Sequence, residues 1–363
     1  MTKVTTACGA SDWIDVWTAS ADELTFVYMF RSDGLLIASR NIADQDRPDH
    51  VGVTSPTNAS VAGRWRPRDH HEDEEMIKLA GSTFAFGDIS LEESCDVLKD
   101  LGFDLADVGA SGWSSFTAYV PQQVIENPDD PDGEAARIRE IMDAKGIGVS
   151  ELFICDFGQA INHPDAEERE RSRELFAQFA AIGGKAGFES IMMLPGNVHE
   201  DRGQTYDEAF DISVQEYTWM VEVAQQNGLQ LNFEPCIMSI AVEPTQAIRL
   251  VEAVPGVGLT VDYAHQVQIG LSADETETMH PYAKHFHVKQ SAEGEFEVKP
   301  EADNGAIDFK RLMSKLKTDG YDGVVTVEFV AAPDVIEAGW DLKEETAKMK
   351  KVIEEAMAAH PSP

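Results

Sequence analysis

The chain has 363 residues, of which 43% are hydrophobic, and its 65 acidic and 29 basic side chains give a net charge of −36. This composition is that of a globular protein with a sizeable core, and the acidic excess disfavours nucleic acid, which attracts basic patches. Because the acidic residues are spread over the whole chain, we expect a strongly hydrated, halophilic protein. No apolar run reaches the 18 residues of a membrane span, so we expect a protein that acts on a small molecule and binds no membrane.

Residues 1–75 contain two segments that predict strands, Leu24–Phe30 and Leu35–Ile42, and the intervening Arg31-Ser-Asp-Gly34 would join them as a hairpin. Residues 41–75 are polar and rich in Arg, Asp and Pro, a composition typical of disordered chain. Met76 directly precedes the first strand of the regular pattern that follows. Two interpretations of residues 1–75 stay open: an N-terminal extension that is partly disordered, or a translation start assigned too far upstream.

From Met76 onward, segments that predict strands and helices alternate eight times. Helices are predicted after the strands, the first of them opened by the capping box Ser90-Leu-Glu-Glu93. Eight such units predict an α/β fold, a (β/α)8 TIM barrel over residues 76–363. An open, doubly wound sheet is the alternative, but no GxGxxG follows the first strand. The predicted strands are Ile77–Phe84, Phe103–Val108, Val149–Cys155, Ser190–Leu194, Leu229–Glu234, Val257–Asp262, Lys284–Val288 and Gly323–Phe329.

The four cysteines, Cys8, Cys95, Cys155 and Cys236, contain no CxxC pair, which argues against a zinc or redox motif. Their scattered and largely apolar surroundings indicate buried thiols in a reducing compartment. The first twenty residues also lack a basic region followed by an apolar stretch, so no secretory signal is expected. We therefore predict a cytoplasmic protein.

Polar side chains mark the carboxyl ends of predicted strands five to eight, where the active sites of such barrels lie. Strand five ends in Glu234 and strand six in Asp262, while strand seven contains His287 and strand eight Glu328. Side chains alternate between the two faces of a strand, and in each of these strands the apolar residues share the opposite face. The four polar residues then point into the barrel mouth, and neighbouring strands lie only about 4.8 Å apart.

Three carboxylates in such proximity would resist full ionisation without a positive counter-charge. A divalent cation supplies that charge. One imidazole with three carboxylates suits Mn²⁺, Mg²⁺ or Co²⁺ better than it suits a sulfur-rich zinc site. We therefore predict one divalent metal ion held by Glu234, Asp262, His287 and Glu328.

These motifs resemble those of the xylose isomerase-like superfamily of sugar and sugar-phosphate isomerases and epimerases. The likeness extends over about residues 76–340, and its segments are Asn-Phe-Glu234-Pro, Val-Asp262-Tyr-Ala-His265, His285-Phe-His287-Val-Lys and Thr-Val-Glu328-Phe. The resemblance implies a TIM barrel in which the four strand-end residues hold one catalytic metal. It also implies a sugar isomerase or epimerase that abstracts a proton next to a carbonyl and passes through a metal-stabilised enediolate.

Within this resemblance, Glu234 and Glu328 are the predicted acid/base pair, while Asp262 and His287 serve as ligands only. The histidine three residues past Asp262 lies in the following loop and is expected to bind a substrate hydroxyl or oxyanion. A lysine provides the cation beside the metal site. Two further candidates for substrate contact lie in the long loop after strand two and at the end of strand three. The predicted substrate-binding residues are His265, Lys289, Trp113 and Asp156.

Two positions depart from the ketose 3-epimerases of this superfamily. Those enzymes carry a second Glu six residues after the strand-five Glu and an Arg six residues after the strand-seven His, where this chain has Ile240 and Glu293. A dehydratase or lyase that begins with the same proton abstraction therefore stays open, either one resembling inosose dehydratase or one that eliminates from a keto-glycoside.

A more remote alternative is a DNA-repair enzyme like endonuclease IV, which shares the barrel and the Asp-x-x-His motif found at Asp262–His265. That class holds three zinc ions and needs His ligands from strands two and three and an Asp-x-His motif, none of which this sequence offers. The sequence leaves open which sugar is bound, whether it is phosphorylated, which metal is preferred and whether the protein forms a homo-oligomer.

Overall fold

The computed structural model describes residues 77–87, 89–110, 124–154 and 161–359 (backbone alone at 333–334), together with the backbone of four earlier strands. The chain divides into two compact units, Met1–Glu74 and Glu75–Pro363. The first contains an antiparallel sheet with strands in chain order. The last two strands pair as the predicted hairpin, and beyond Ile42 the segment of predicted disorder lies outside the described residues. The four strands are Thr2–Ala7, Trp13–Ala21, Leu24–Phe30 and Leu36–Ile42.

In the second unit, eight parallel strands close into a barrel with helices between them, so the predicted (β/α)8 fold is confirmed. Each strand pairs with its neighbours in chain order. The last strand closes against the first, with Val324 opposite Lys78 and Val327 opposite Gly81. The strands, numbered one to eight below, are Lys78–Ser82, Leu105–Ala110, Gly148–Ile154, Ser190–Met193, Gln230–Phe233, Gly258–Asp262, Ala283–Val288 and Val324–Val327.

Helices surround the barrel, and their starts follow from capping residues in the sequence. Ser90 and Thr205 each accept the N–H of a glutamate three residues later, whose carboxylate accepts the capping residue's own N–H in return. None of the described helices is long and apolar enough to cross a membrane. The α-helices are Leu91–Asp100, Pro131–Lys145, Ala166–Ala186, Tyr206–Gln226, Pro244–Ala253, Tyr263–Gln268, Ala273–Thr276, Phe309–Thr318, Pro333–Glu337 and Leu342–Ala358, and the 3-10 helices are Thr83–Phe86, Glu200–Arg202 and Glu277–Tyr282.

Most predicted strand ends differ from the observed ones by one or two residues, and two local predictions are wrong in the kind of structure they name. Strand one ends at Ser82 rather than at Phe84, because the Ser82 hydroxyl accepts the backbone N–H of Phe84 and caps a 3-10 helix. His265 lies in a short helix rather than in a loop. That helix begins directly after strand six because Asp262 Oδ1 accepts the backbone N–H of Ala264 at 2.9 Å.

The two faces of the barrel strands differ in polarity, as the sequence alternation indicates. Val261, Phe286 and Val325 are fully buried in the apolar core that the strands share with the helices. On the opposite face of these strands, Asp262 of strand six lies in register beside His287 of strand seven. The interior of the barrel is therefore polar towards its carboxyl end.

Candidate active site

Four side chains meet at the carboxyl ends of strands five to eight; we call Glu234, Asp262, His287 and Glu328 the outer cluster. The two glutamates directly follow strands five and eight, and all four residues are buried. His287 Nδ1 lies 3.1 Å from Glu234 Oε1 and 3.3 Å from Glu328 Oε2. Asp262 and Glu234 offer oxygens within 4.8 Å of each other. The structure thus brings together the four residues proposed as metal ligands from the sequence.

Lys289 follows strand seven, and its fully buried side chain reaches the outer cluster. The ammonium forms an ion pair with Asp262 Oδ2 and donates to Glu328 Oε2 at 3.0 Å. The sequence predicts that this lysine binds substrate, yet it is not among the described residues that line the neighbouring cavity. Its charge is directed at the carboxylates instead.

His265 connects the outer cluster to the cavity wall. Its Nε2 lies 3.5 Å from Glu234 Oε2, and its Nδ1 accepts the backbone N–H of Ile237 at 3.3 Å. Because Nδ1 is an acceptor, the ring proton resides on Nε2 and faces the glutamate. The ring also packs against Phe296 at a centroid distance of 4.7 Å. The residue therefore lies at the cavity wall beside Glu234, and its contact with a substrate hydroxyl stays a prediction.

A second buried polar group, which we call the inner network, lies deeper in the barrel and consists of Asp107, Glu151 and His285. All three are almost completely buried. His285 Nε2 lies 2.6 Å from Asp107 Oδ2, and Asp107 Oδ1 accepts the backbone N–H of Glu151 at 3.0 Å. Sequence reasoning assigned no function to either acid. The available signal was an acidic residue at an inward position within a buried strand.

Glu151 links four strands of the barrel through its carboxylate. Oε2 accepts from the Ser190 hydroxyl at 2.8 Å and from Asn232 Nδ2 at 2.7 Å, and Oε1 accepts from the Thr260 hydroxyl at 2.8 Å. These donors belong to strands four, five and six, whereas Glu151 lies on strand three. The carboxylate therefore fixes the strands that lead to Glu234 and Asp262.

Burial and neighbouring positive charge act in opposite directions on the site. Burial raises the pKa of Glu234, but hydrogen bonds from His265 and His287 outweigh this and hold the pKa well below its usual range. The pKa of Glu328 is lowered because His287 and Lys289 outweigh the effect of burial. Both glutamates are therefore ionised at neutral pH, which a general base requires.

The charges and donor atoms fit a divalent cation. Five buried carboxylates, from the outer cluster and the inner network, face one ammonium and three imidazoles, those of His265, His285 and His287, so the site stays net negative even with all three rings protonated. His287 Nε2 makes no ordinary hydrogen bond to a described residue, but it faces Asp107 Oδ2 at 3.5 Å and Glu151 Oε1 at 3.9 Å. A metal ion bound at Nδ1 would replace the proton that this nitrogen donates to Glu234, and the remaining ring proton would lie on Nε2, facing the two inner carboxylates. The oxygen-rich donor set suits Mn²⁺, Mg²⁺ or Co²⁺.

A cavity adjoins the outer cluster, and no Lys or Arg is among the described residues that line it. Segments 111–123 and 155–160, which contain Trp113 and Asp156, lie outside the described residues, so their proposed substrate contacts stay predictions. Neither segment contains Lys or Arg. The polar lining includes Asn197, Glu234, Ser239, His265 and Glu328, and the apolar lining includes Phe84, Phe153, Met192, Leu194, Phe296 and Val330.

A closed parallel barrel with three carboxylates and an imidazole at its carboxyl end defines an α/β barrel with a candidate metal centre. Over residues 95–354 the chain matches the xylose isomerase-like TIM barrel family, and it belongs to that family. It is 22% identical over 278 residues to the uncharacterized protein MJ1311 of Methanocaldococcus jannaschii, covering 74% of this chain and 89% of that one.

Solved structures share the barrel. A D-tagatose 3-epimerase-like protein is 17% identical with a TM-score of 0.62, covering 78% of this chain and 98% of that chain. A probable 3-DHS dehydratase involved in petrobactin synthesis in Bacillus anthracis is 14% identical with a TM-score of 0.57, covering 77% of this chain and 99% of that chain. At these identities the likeness shows a common fold.

Proposed function

We propose that the protein is a divalent-metal-dependent sugar isomerase or epimerase that abstracts a proton next to a carbonyl and proceeds through an enediolate. The observation that carries this proposal is the approach of Glu234 and Glu328 to the same nitrogen of His287, at distances of 3.1 and 3.3 Å, beside the cavity. The outer cluster would hold Mn²⁺, Mg²⁺ or Co²⁺. When bound, such an ion polarises the substrate carbonyl and stabilises the negative charge that develops on its oxygen.

Glu234 and Glu328 form the proposed acid/base pair. Both line the cavity, and they follow strands five and eight, which two other strands separate in the barrel. A planar enediolate between them presents one face to each carboxylate. One glutamate takes the proton, and the other, once protonated from solvent, returns a proton to the opposite face of the same carbon. His265 beside Glu234 is placed to bind a substrate hydroxyl.

We further propose that the substrate is a neutral, unphosphorylated sugar or polyol-like carbonyl compound. A phosphate group in a protein site is usually met by Arg, Lys or a row of backbone N–H groups. No Lys or Arg side chain lines the described part of the cavity, and the sequences of segments 111–123 and 155–160 contain neither residue. The apolar lining, with Phe84 and Phe153 in edge-to-face contact at 5.0 Å, suits the less polar face of a sugar ring.

A dehydratase or lyase is the second candidate, and two positions favour it over a ketose 3-epimerase. Ile240 is buried, donates its N–H to the Gly196 carbonyl at 2.9 Å and accepts from the Tyr206 hydroxyl, so this position offers no carboxylate to a substrate. Glu293 is exposed and acidic where the 3-epimerases are expected to carry Arg. A site without these two polar contacts could expel water or an aglycone after the same proton abstraction.

We also propose a cytoplasmic location. Cys95 and Cys236 are free and buried, and burial raises the pKa of Cys95 to about 12. Such thiols stay protonated and unreactive, and free buried cysteines are typical of a reducing compartment. Cys8 and Cys155 lie outside the described residues.

The test combines metal depletion with proton exchange. The protein is stripped with EDTA, reloaded with Mn²⁺, Mg²⁺ or Co²⁺, and incubated in D₂O at high salt with ketoses, inososes and keto-glycosides, each with a phosphorylated counterpart where one exists. We expect metal-dependent exchange of a substrate C–H for deuterium with the neutral compounds. Mass spectrometry of the products separates an epimer, of unchanged mass apart from deuterium, from a dehydrated or eliminated product.

Glu→Gln variants then assign the proton transfers, because the amide keeps the shape of the side chain and loses its basicity. Glu234→Gln and Glu328→Gln should each slow turnover by about 10²- to 10⁴-fold, the usual contribution of a general acid or base. Loss of the base should also abolish deuterium exchange. Glu174→Gln, at an exposed position of the helix Ala166–Ala186, is the matched control. Unchanged turnover and exchange in both site variants with metal bound would refute the mechanism.

A further inference from the structure

Lys289 is the only lysine among the described residues with a buried side chain, and its ammonium lies within the outer cluster. It donates to Glu328 Oε2 at 3.0 Å and pairs with Asp262 Oδ2. Glu328 Oε2 is also the oxygen that lies 3.3 Å from His287 Nδ1. The other oxygen of Asp262 already accepts the backbone N–H of Ala264. The ammonium therefore bonds carboxylate oxygens of two of the four proposed metal ligands.

We propose that Lys289 is an internal counter-cation that neutralises the outer cluster in the metal-free protein and competes with the divalent ion for Asp262 and Glu328. Without a cation, the three converging carboxylates would repel one another strongly in a buried site. With a divalent ion present, a second positive charge on the same oxygens would repel the ion instead. The lysine thus stabilises the empty site and weakens metal binding. This inference rests on the proposed metal-dependent function.

An aromatic ring beside the ammonium would keep contact with it when the metal displaces it from the carboxylates. Lys289 Nζ already lies 4.4 Å from the centroid of the Phe296 ring, within cation–π range. Phe296 lines the cavity, and Glu297 beside it is held by the backbone N–H of Val330, which donates to its carboxylate at 2.7 Å. We expect a displaced ammonium to keep this aromatic contact at the cavity wall while it leaves Asp262 and Glu328.

Metal loading and the polarity of the substrate cavity are then coupled. In the metal-free protein the positive charge of Lys289 is paired with the carboxylates of Asp262 and Glu328. In the loaded protein we expect the same charge to lie nearer the cavity wall at Phe296. We therefore expect the Lys289 ammonium to lie in different places in the metal-free and the metal-loaded protein.

The test compares the full-length wild-type protein with Lys289→Met, which keeps the length of the side chain and removes its charge. We expect Lys289→Met to bind Mn²⁺ about tenfold or more tightly by isothermal titration calorimetry, because a buried charged hydrogen bond no longer opposes the ion. In EDTA the same variant should melt below the wild type, and Mn²⁺ should remove that difference. Lys299→Met is the matched control, since Lys299 also lies over an aromatic ring, Trp340, but outside the site.

The outcomes separate this inference from the function on which it rests. If the wild type binds Mn²⁺ and Lys289→Met binds it with equal or lower affinity, Lys289 is no competitor and the inference is overturned, while the proposed function stands. If the variant in EDTA is as stable as the wild type, the counter-cation role is likewise overturned. If the wild type binds no divalent ion at all, the proposed function and the inference both fail.

A second measurement applies if Lys289→Met does not fold. A buried ammonium held in an ion pair exchanges its protons slowly, so Lys289 should give a resolved ¹H–¹⁵N signal in the metal-free wild type. Titration with diamagnetic Mg²⁺ should shift or broaden that signal as the ammonium leaves the carboxylates. A signal that is unchanged when Mg²⁺ saturates the protein would overturn the proposal.

Discussion

Replacement of Glu151 by Leu tests whether the inner network holds the barrel in register. The change leaves three buried donors, from Ser190, Asn232 and Thr260, without their acceptor. A buried donor left unsatisfied costs about 1 to 3 kcal/mol, so the free energy of unfolding should fall by about 3 to 9 kcal/mol. Glu151→Gln keeps one acceptor oxygen but turns an amide N–H₂ towards donors, and it should cost about 1 to 3 kcal/mol.

The assay is urea denaturation followed by circular dichroism at 222 nm, which reports the helices around the barrel. Glu189→Gln is the control. The Glu189 side chain is largely exposed, and its one ion pair among the described residues is a surface pair with Lys78 at 3.7 Å. Such a surface change should alter stability by no more than about 0.5 kcal/mol. A loss below about 1 kcal/mol for Glu151→Leu would show that the donors find other partners and would refute the reasoning.

Three further predictions concern the metal, the salt and the N-terminal unit. Replacing Asp262 and His287 together by Ala should lower the Mn²⁺ content measured by atomic spectroscopy, and one tightly bound ion per chain at unchanged affinity would contradict the ligand assignment. Dilution from molar to about 0.1 M salt extends the Debye length from about 3 to 10 Å. With a net charge of −36 the melting temperature should fall, and equal melting temperatures would refute salt adaptation. A chain that begins at Met76 should fold and bind Mn²⁺ in a titration, whereas an insoluble or metal-free product would show that residues 1–75 are required.

Capping residues in the sequence mark where several helices begin, whereas the strand ends carry no such local mark. The helix Phe309–Thr318 begins after Asp308, whose carboxylate accepts the N–H groups of Lys310 and Arg311, and its apolar positions recur at helical spacing. Strand eight was predicted over Gly323–Phe329 but pairs only over Val324–Val327. The ends of a strand depend on the register of its neighbours, which lie far away in the sequence.

The convergence of the four outer-cluster residues can be predicted from the alternation of side chains along each strand, because a closed parallel barrel brings the carboxyl ends of all its strands to one side. The position of the Lys289 ammonium does not follow in the same way. Parity places this residue on the same face as His287, but only distances decide whether its charge meets substrate or Asp262. The partners of Glu151 were equally hidden, since Ser190 and Thr260 lie 39 and 109 residues away along the chain.

The inner network has a consequence for how this barrel can be assembled from parts. Glu151 on strand three takes donors from strands five and six, and Asp107 on strand two is paired with His285 on strand seven. A cut between strands four and five would leave acids in one fragment and their partners in the other. We therefore expect neither half to fold stably by itself, because each would contain buried polar groups without their partners. Circular permutation, which keeps all eight strands in one chain, leaves these pairs intact.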